Sequence, residues 1–320
     1  MQTNGVDGLT YSVIIITRNR ASVLRNALES VINQEYENGK YEMIVVDNNS
    51  NDDTASIVET YQQKCPNRIR YVIEPEIGMS KARNTGSKLA RGEILVFIDD
   101  DAIASAGWLR NYQLLYQSSP DIVAAGGRIE VVFTPKRPKW ISDELLVVFG
   151  RLDSSDTEGT MLYPRHPFGV NFSVRKEYFL KTKGFFQEIK NYNDEKAFFY
   201  QLHLNKCKVG YSPEAVVYHH IPSSKLRRRY FIKRGIKQGI GNIKFISIFD
   251  RIGMPRFDSK LKQLLVSGVL IIRNILFCRR RYSFSQIYYF SICLGELLGI
   301  MMRGFISYEY RSYSNTNETP

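Results

Sequence analysis

The chain has 320 residues, 43% hydrophobic and 24% charged, a balance that excludes a disordered polymer or an ordinary multi-span membrane protein and leaves one large α/β domain with an appendage, or two domains. Its net charge of +12 is unevenly placed: residues 1–220 hold 26 Lys and Arg against 27 Asp and Glu, whereas residues 221–320 hold 18 against 5. The basicity belongs to the tail, which is the pattern of a neutral body joined to a segment that meets an anionic surface.

Met1 to Thr10 is polar and has no apolar core of a secretory signal. Cys65, Cys207, Cys278 and Cys293 are widely spaced and form no CxxC pair, so neither a disulfide framework nor a zinc site is expected, and a reducing cytosol is the default compartment. Ser12 to Ile16 predicts a strand buried on both faces, closed by Thr17-Arg18-Asn19-Arg20, and Val23, Leu24, Ala27, Leu28, Val31 and Ile32 follow at helical spacing. Met43 to Val46 predicts a second strand that runs into Asp47-Asn48-Asn49-Ser50, a loop of turn formers and helix caps. A helix over Thr54 to Lys64, a strand over Ile69 to Ile73 and a helix from about Ser80 to Ala90 come next. Ile94 to Ile98 is then an apolar strand that ends in Asp99-Asp100-Asp101.

Strand and helix alternate four times at short intervals, as in a parallel sheet with right-handed crossovers. Parallel strands put their carboxyl ends on one edge, where ligands bind, so Thr17, Asp47 and Asp99 are expected to meet in one cleft. Three adjacent carboxylates repel unless a cation sits among them, and oxygen-rich sites suit Mg²⁺ or Mn²⁺. With extended geometry through the triplet, Asp99 and Asp101 would point to one side and Asp100 to the other. Neither a dinucleotide-type glycine fingerprint nor a GxxxxGK[ST] loop is present, which counts against dehydrogenase and P-loop chemistry.

Four segments in this order and approximate spacing, Val13–Arg20, Ile44–Ser50, Gly78–Gly86 and Phe97–Asp101, resemble the inverting glycosyltransferases of family 2. The resemblance covers about residues 11–220 and implies the GT-A fold: α/β, a mostly parallel central sheet flanked by helices, here with a helical C-terminal extension. It divides the chain into a catalytic domain over 1–220, with a donor half over 11–130 and an acceptor half over 131–220. A basic helical extension over 221–311 and a disordered tail over 312–320 would follow.

By the same resemblance, Asp47 contacts the donor base, with Thr17, Asn19 and Arg20 lining that pocket. A carboxylate accepting from a uracil N–H is a charge-assisted bond, which points to a UDP-sugar. Arg83, one turn into a helix whose amino end faces the same edge, would serve the diphosphate. Asp101 is implied as the direct ligand of a divalent cation, Mn²⁺ or Mg²⁺, with Asp99 and Asp100 reaching the ribose or metal-bound water. Gly169–Arg175 and Lys183–Phe186 resemble the segment that builds the acceptor side. Asn193-Asp194-Glu195 opens a helix where the family carries Glu-Asp; the inverted order here leaves both Asp194 and Glu195 as candidates for the base, with the spacing to Gly210-Tyr211 favouring Glu195. His219, of the pair His219-His220, is implied as a further metal ligand.

In the tail, Leu226 to Lys237 packs basic residues around Tyr230, Phe231 and Ile232 as an amphipathic helix would. The apolar runs Leu261–Phe277 and Ile287–Ile306 are interrupted by charges, so lying on a membrane is expected over spanning it, with packing as a helical cap the alternative. The function expected is transfer of a sugar from a nucleotide-sugar donor to a polysaccharide or lipid-linked acceptor at the cytoplasmic face of an anionic membrane, with no nucleic-acid partner. The alternatives are a nucleotidyltransferase that makes a sugar nucleotide and a non-catalytic binding protein on the same scaffold.

Overall fold

The computed structural model describes residues 11–37, 39–134, 136–151, 159–189, 193–249, 255, 257–276 and 280–302. The expected disordered tail over 312–320 lies outside the described residues.

In chain order, the first half runs β1 (Tyr11–Thr17), α1 (Ala21–Ile32), β2 (Tyr41–Asp47), α2 (Thr54–Lys64), β3 (Ile69–Ile73), α3 (Met79–Leu89) and β4 (Ile94–Asp99). Then come β5 (Ala102–Ala104), α4 (Trp108–Ser118), β6 (Ile122–Thr134), β7 (Gly159–Thr160), β8 (Asn171–Arg175), α5 (Lys176–Leu180), α6 (Asp194–Leu204) and β9 (Lys208–Pro222). Among the described residues the strands form one nine-stranded sheet in the order β3-β2-β1-β4-β8-β6-β9-β5, with β7 paired to β9. The ladders from β3 to β4 are parallel, as the alternation requires. Beyond them the sheet turns mixed, since β8 runs antiparallel to both β4 and β6.

Period-two alternation sorts the apolar strand residues into two cores. Val13, Ile15, Met43, Val45, Val96 and Ile98 join Leu24 and Leu28 of α1, Ile57 and Val58 of α2, and Trp108 and Tyr112 of α4 on one face. Ile14, Ile44, Val46, Leu95 and Phe97 join Ala82 of α3 and Phe198, Phe199 and Leu202 of α6 on the other. Gly86 lets α3 approach the sheet, because a Cβ there would stand 2.7 Å from Ile14 and 3.0 Å from Val46. Register then sets the cleft: Thr17 lies opposite Asp47, Ile16 opposite Asp99, and Ala102 opposite His219.

The chain divides into a first compact unit, Met1–Pro135, Leu146–Lys190 and Asp194–Pro222, and a second, Lys136–Leu145, Asn191–Asn193 and Ser223–Pro320. The second unit contains α7 (Arg228–Ile248), α8 (Phe257–Leu276) and α9 (Arg280–Met301). Trp140 packs edge-on against Phe231 and Phe284 there. Helices α7 and α9 cross at close range: a Cβ on Gly239 would lie 2.1 Å from the Ile292 carbonyl, and one on Gly295 2.1 Å from that of Ile236. Phe284–Met301 of α9 is long and apolar enough to cross a membrane by length and composition, and 44% of that stretch is buried within the protein.

Candidate active site

The strand ends bring two clusters of charge to one edge of the first unit, each built around one arginine. Arg20, just before α1, meets Asp100 through Nε at 2.9 Å and Asp101 through Nη2 at 2.6 Å. Thr17 Oγ1 donates to Asp100 Oδ2 at 2.8 Å. Burial pushes the Asp100 carboxyl up to about 7, aided by the Asp101 charge and opposed by Arg20 and Thr17. β4 stops at Asp99 and the next two acids lie in a turn. Strand alternation therefore does not govern the triplet, and the expected split is corrected: Asp100 and Asp101 share Arg20, while Asp99 faces Arg83.

His219 comes to Asp101 from β9. Its Nδ1 lies 2.8 Å from the Phe149 carbonyl, which can only accept, so Nδ1 carries a proton, and in the neutral ring the lone pair is on Nε2. Nε2 stands 3.3 Å from Asp101 Oδ1 and makes no hydrogen bond, although it is buried. A lone pair facing a carboxylate is repulsive unless a cation lies between them, and a histidine whose second nitrogen donates to a backbone carbonyl is the usual arrangement of a metal ligand. The donor set fits a divalent cation in this respect. Among the described residues no three such side chains converge, so phosphate oxygens and water would have to complete the shell, as is usual for ions held with one or two carboxylates.

The second cluster surrounds Arg83 of α3, whose side chain is 2% exposed. Its Nη1 donates to Asp194 Oδ2 at 2.6 Å and Glu195 Oε1 at 2.9 Å, and Nη2 lies 3.8 Å from Asp99 Oδ1. The Phe185 ring lies beside the guanidinium, 5.4 Å from Cζ. Arg83 thus stands at the expected edge, but its guanidinium is turned onto the two acids of α6 rather than left open to a diphosphate. Three carboxylates around one buried cation cannot all ionise at low cost. Burial and the Glu195 charge push the Asp194 carboxyl well above the usual range, against the pull of Arg83. Burial also disfavours ionisation of Glu195, but Arg83 and the hydrogen bond from Asp194 outweigh it and hold that carboxyl low. The pair keeps one proton between them near neutral pH, and Glu195 is the more exposed member.

Asp47 closes β2 with both oxygens engaged: Oδ1 accepts from the Ser50 N–H at 2.8 Å and Oδ2 from the Tyr71 hydroxyl. Burial and the Asp47 charge push the Tyr71 phenol up, so it stays a donor. Asn19 adopts a left-handed φ of 53° and ties the two loops together, its N–H donating to Ser50 and its Oδ1 accepting from the Asn51 N–H at 2.7 Å.

Several contributors escape sequence reasoning. Gly169 falls within the segment assigned to the acceptor side, but its contact does not show there: a Cβ would fall 2.1 Å from Glu195 Oε1 and 2.2 Å from Arg83 Nη2. His166 is another: burial pulls its pKa down, and when it is protonated its charge lowers Glu195. Asn171, inside the segment assigned to the acceptor side, is instead a fully buried hub beneath it. It accepts from Trp108 and Tyr112 and donates to the carbonyls of Arg128 and Ala215.

Residues 12–179 match the family description "Glycosyl transferase family 2". Among curated proteins, the chain is 25% identical over 179 residues to a glucosyl-dolichyl phosphate glucuronosyltransferase of Haloferax volcanii, covering 55% of this chain and 56% of that protein. It is 30% identical over 197 residues to a GalNAc(5)-diNAcBac-PP-undecaprenol β-1,3-glucosyltransferase of Campylobacter jejuni, covering 61% and 60%. The chain spans about half the length of the curated relatives it matches. Two solved structures share the fold. One is a mannosyltransferase of Pyrobaculum calidifontis in complex with GDP-Man and Mn²⁺ (TM-score 0.64, 20% identity, 90% of this chain and 87% of that one). The other is TarS 1-349 of S. aureus in complex with UDP (TM-score 0.55, 17% identity, 90% of each).

Proposed function

The chain belongs to glycosyl transferase family 2, and from that premise we propose that it is an inverting glycosyltransferase moving a sugar from a UDP-sugar to a hydroxyl of a lipid-linked saccharide or polymer. The single observation that carries the reading is the arrangement of the two arginine clusters at one sheet edge: a buried, unpartnered His219 Nε2 facing Asp101, and a proton-sharing acid pair held on Arg83. A nucleotide-sugar donor is supported by the GDP-Man and UDP bound in the two structures of this fold, and a lipid-linked acceptor by the curated relatives.

In this reading Asp47 accepts from the base N–H through a lone pair left over from Ser50 and Tyr71, while the loop tied by Asn19 walls the pocket. Asp101 and His219 would hold the divalent cation, Mn²⁺ or Mg²⁺, which supplies charge stabilisation to the departing nucleoside diphosphate when bound. Thr17 and Arg20 orient Asp100 and Asp101 and keep them from repelling each other. Glu195, held ionised by Arg83, takes the proton of the acceptor hydroxyl, and Asp194 steadies it by a hydrogen bond. Attack from the side of Glu195 with departure toward Asp101 inverts the anomeric centre without a covalent intermediate, since no separate nucleophile is required.

The test is turnover by the purified chain with Mn²⁺, a panel of UDP- and GDP-sugars, and a prenyl-phosphate-linked saccharide. Release of UDP from one UDP-sugar, dependent on Mn²⁺ and abolished by Asp101→Asn, is the expected result. Turnover only with GDP-sugars would overturn the choice of donor base, and turnover indifferent to Asp101→Asn would overturn the site.

A further inference from the structure

Among the described residues, the second unit leaves one helix face bare. None of the α8 side chains described, from Phe257 to Arg273, is buried, although this stretch is rich in Leu, Val and Ile. Leu265, Val269 and Ile272 are 63%, 65% and 61% exposed, and Phe257 and Leu261 are exposed with them. At 100° per residue these five fall within roughly a third of the helix circumference and form one continuous stripe. The other side of α8 is the inner one: Lys260 reaches Glu296 of α9 at 2.7 Å, and Leu264, Leu270 and Ile271 are half-buried. An apolar stripe of this length is more than scattered surface hydrophobics and marks an interaction face.

We propose that the outer face of α8 docks on an anionic lipid bilayer, with the helix lying in the plane of the interface. Charge identifies the occupant. Lys262 and Arg273 are exposed along one border of the stripe, and Arg279-Arg280-Arg281 follows α8 in sequence. The hundred residues from 221 hold 18 Lys and Arg against 5 Asp and Glu, which complements acidic headgroups. A second copy on this face would set two such basic segments against each other. The apolar stripe beside a basic edge is the design of an in-plane helix. The spanning-length stretch of α9 is committed elsewhere, since its Glu296 accepts from Asn242 of α7 at 2.8 Å and pairs with Lys260, and its Gly295 is pressed on α7. This inference is independent of the donor and acceptor reading.

The experiment is sedimentation of the full chain with phosphatidylcholine vesicles and with vesicles that also contain phosphatidylglycerol, followed by light scattering without lipid. The wild-type chain should pellet with the phosphatidylglycerol vesicles and be released as salt rises. Leu265→Gln with Val269→Gln should lower the bound fraction about tenfold at an unchanged melting temperature, because both side chains are exposed. Lys262→Gln with Arg273→Gln should erase the preference for phosphatidylglycerol; if the apolar double variant melts early, this charge variant decides alone. A wild-type chain that stays in the supernatant, variants that pellet like it, or an oligomer that Leu265→Gln with Val269→Gln dissolves would each overturn the proposal, the last by showing that a second copy covers the face.

Discussion

His219 Nε2 faces Asp101 Oδ1 at 3.3 Å, while its Nδ1–H donates to the Phe149 carbonyl at 2.8 Å. In the proposed reading these two atoms, held this close by β9 and the turn after β4, form half of a cation site. Removing either half should weaken metal binding without unfolding the sheet. His219→Gln is expected to weaken Mn²⁺ binding, read by calorimetry in the presence of UDP, by at least about tenfold, and Asp101→Asn by more than about 100-fold. Equal Mn²⁺ affinity in His219→Gln would mean that the histidine serves only β9.

The Asp194–Glu195 pair sets a pH dependence whose sign follows from the two shifts. Asp194, raised in the folded protein, binds its proton more tightly there than in the unfolded chain, so its contribution to stability declines as pH rises from ~4, the ordinary carboxylate value, through its folded value. Glu195, lowered, contributes stability that is present above ~4.3 and lost as pH falls through its folded value. Activity should climb as Glu195 loses its proton and the pair is left with the one shared proton that Asp194 holds. Asp194→Asn keeps a hydrogen-bond donor beside Glu195 and cannot ionise, so the acidic limb of kcat/KM is expected to hold while any decline as Asp194 ionises at higher pH disappears. Glu195→Gln should abolish turnover. The opposite pattern, with Asp194→Asn dead and Glu195→Gln active, would reverse the assignment of the base.

Much of this was legible in the sequence because parallel strands buried on both faces are read from apolar runs, and polar residues at their ends must share an edge. Ile14 and Ile16 followed by Thr17, and Leu95 and Phe97 followed by Asp99, announce both the sheet and the cleft. The direction of each acid was not legible, because it depends on where β4 stops and the turn begins. Nor was the target of Arg83: α3 and α6 are separated by more than a hundred residues, and only packing of both on the same sheet face brings Asp194 to the guanidinium. Gly169 carries no side chain to attract notice, and its role appears only once Glu195 and Arg83 are seen against its Cα. The bare stripe of α8 was visible as apolar residues between charges, but whether it faced inward could not be read from periodicity alone.

Arg20 competes with any bound cation for the same two carboxylates, since Nε and Nη2 reach Asp100 and Asp101. Arg20→Gln leaves the buried acids facing each other, and the chain without metal should lose about 1–3 kcal/mol, a range discounted because the arginine is partly exposed. Mn²⁺ with UDP should then raise the melting temperature more in Arg20→Gln than in the wild-type protein, because the added cation replaces a missing one. Thermal denaturation with and without the ligands reads both changes. A smaller ligand shift in the variant would show that Arg20 itself touches the donor.

Gly169 is the sharpest test of the Arg83 cluster, because its substitution adds one methyl group and changes no charge. An added Cβ would stand 2.1 Å from Glu195 Oε1 and 2.2 Å from Arg83 Nη2, so Gly169→Ala must push the ion pair aside. Overpacking of this kind costs about 1–3 kcal/mol. The displacement falls on the carboxylate proposed to take the acceptor proton, and a misplacement of about 1 Å at a reacting group can cost about 100-fold in rate. Gly169→Ala is therefore expected to lower kcat about 100-fold while donor KM and the Mn²⁺ requirement hold, since Asp47, Asp101 and His219 lie outside the disturbed cluster. Steady-state kinetics with varied donor separate these effects. A rise in donor KM with kcat intact would move Arg83 from the base to the donor diphosphate, the role its place on α3 first implied.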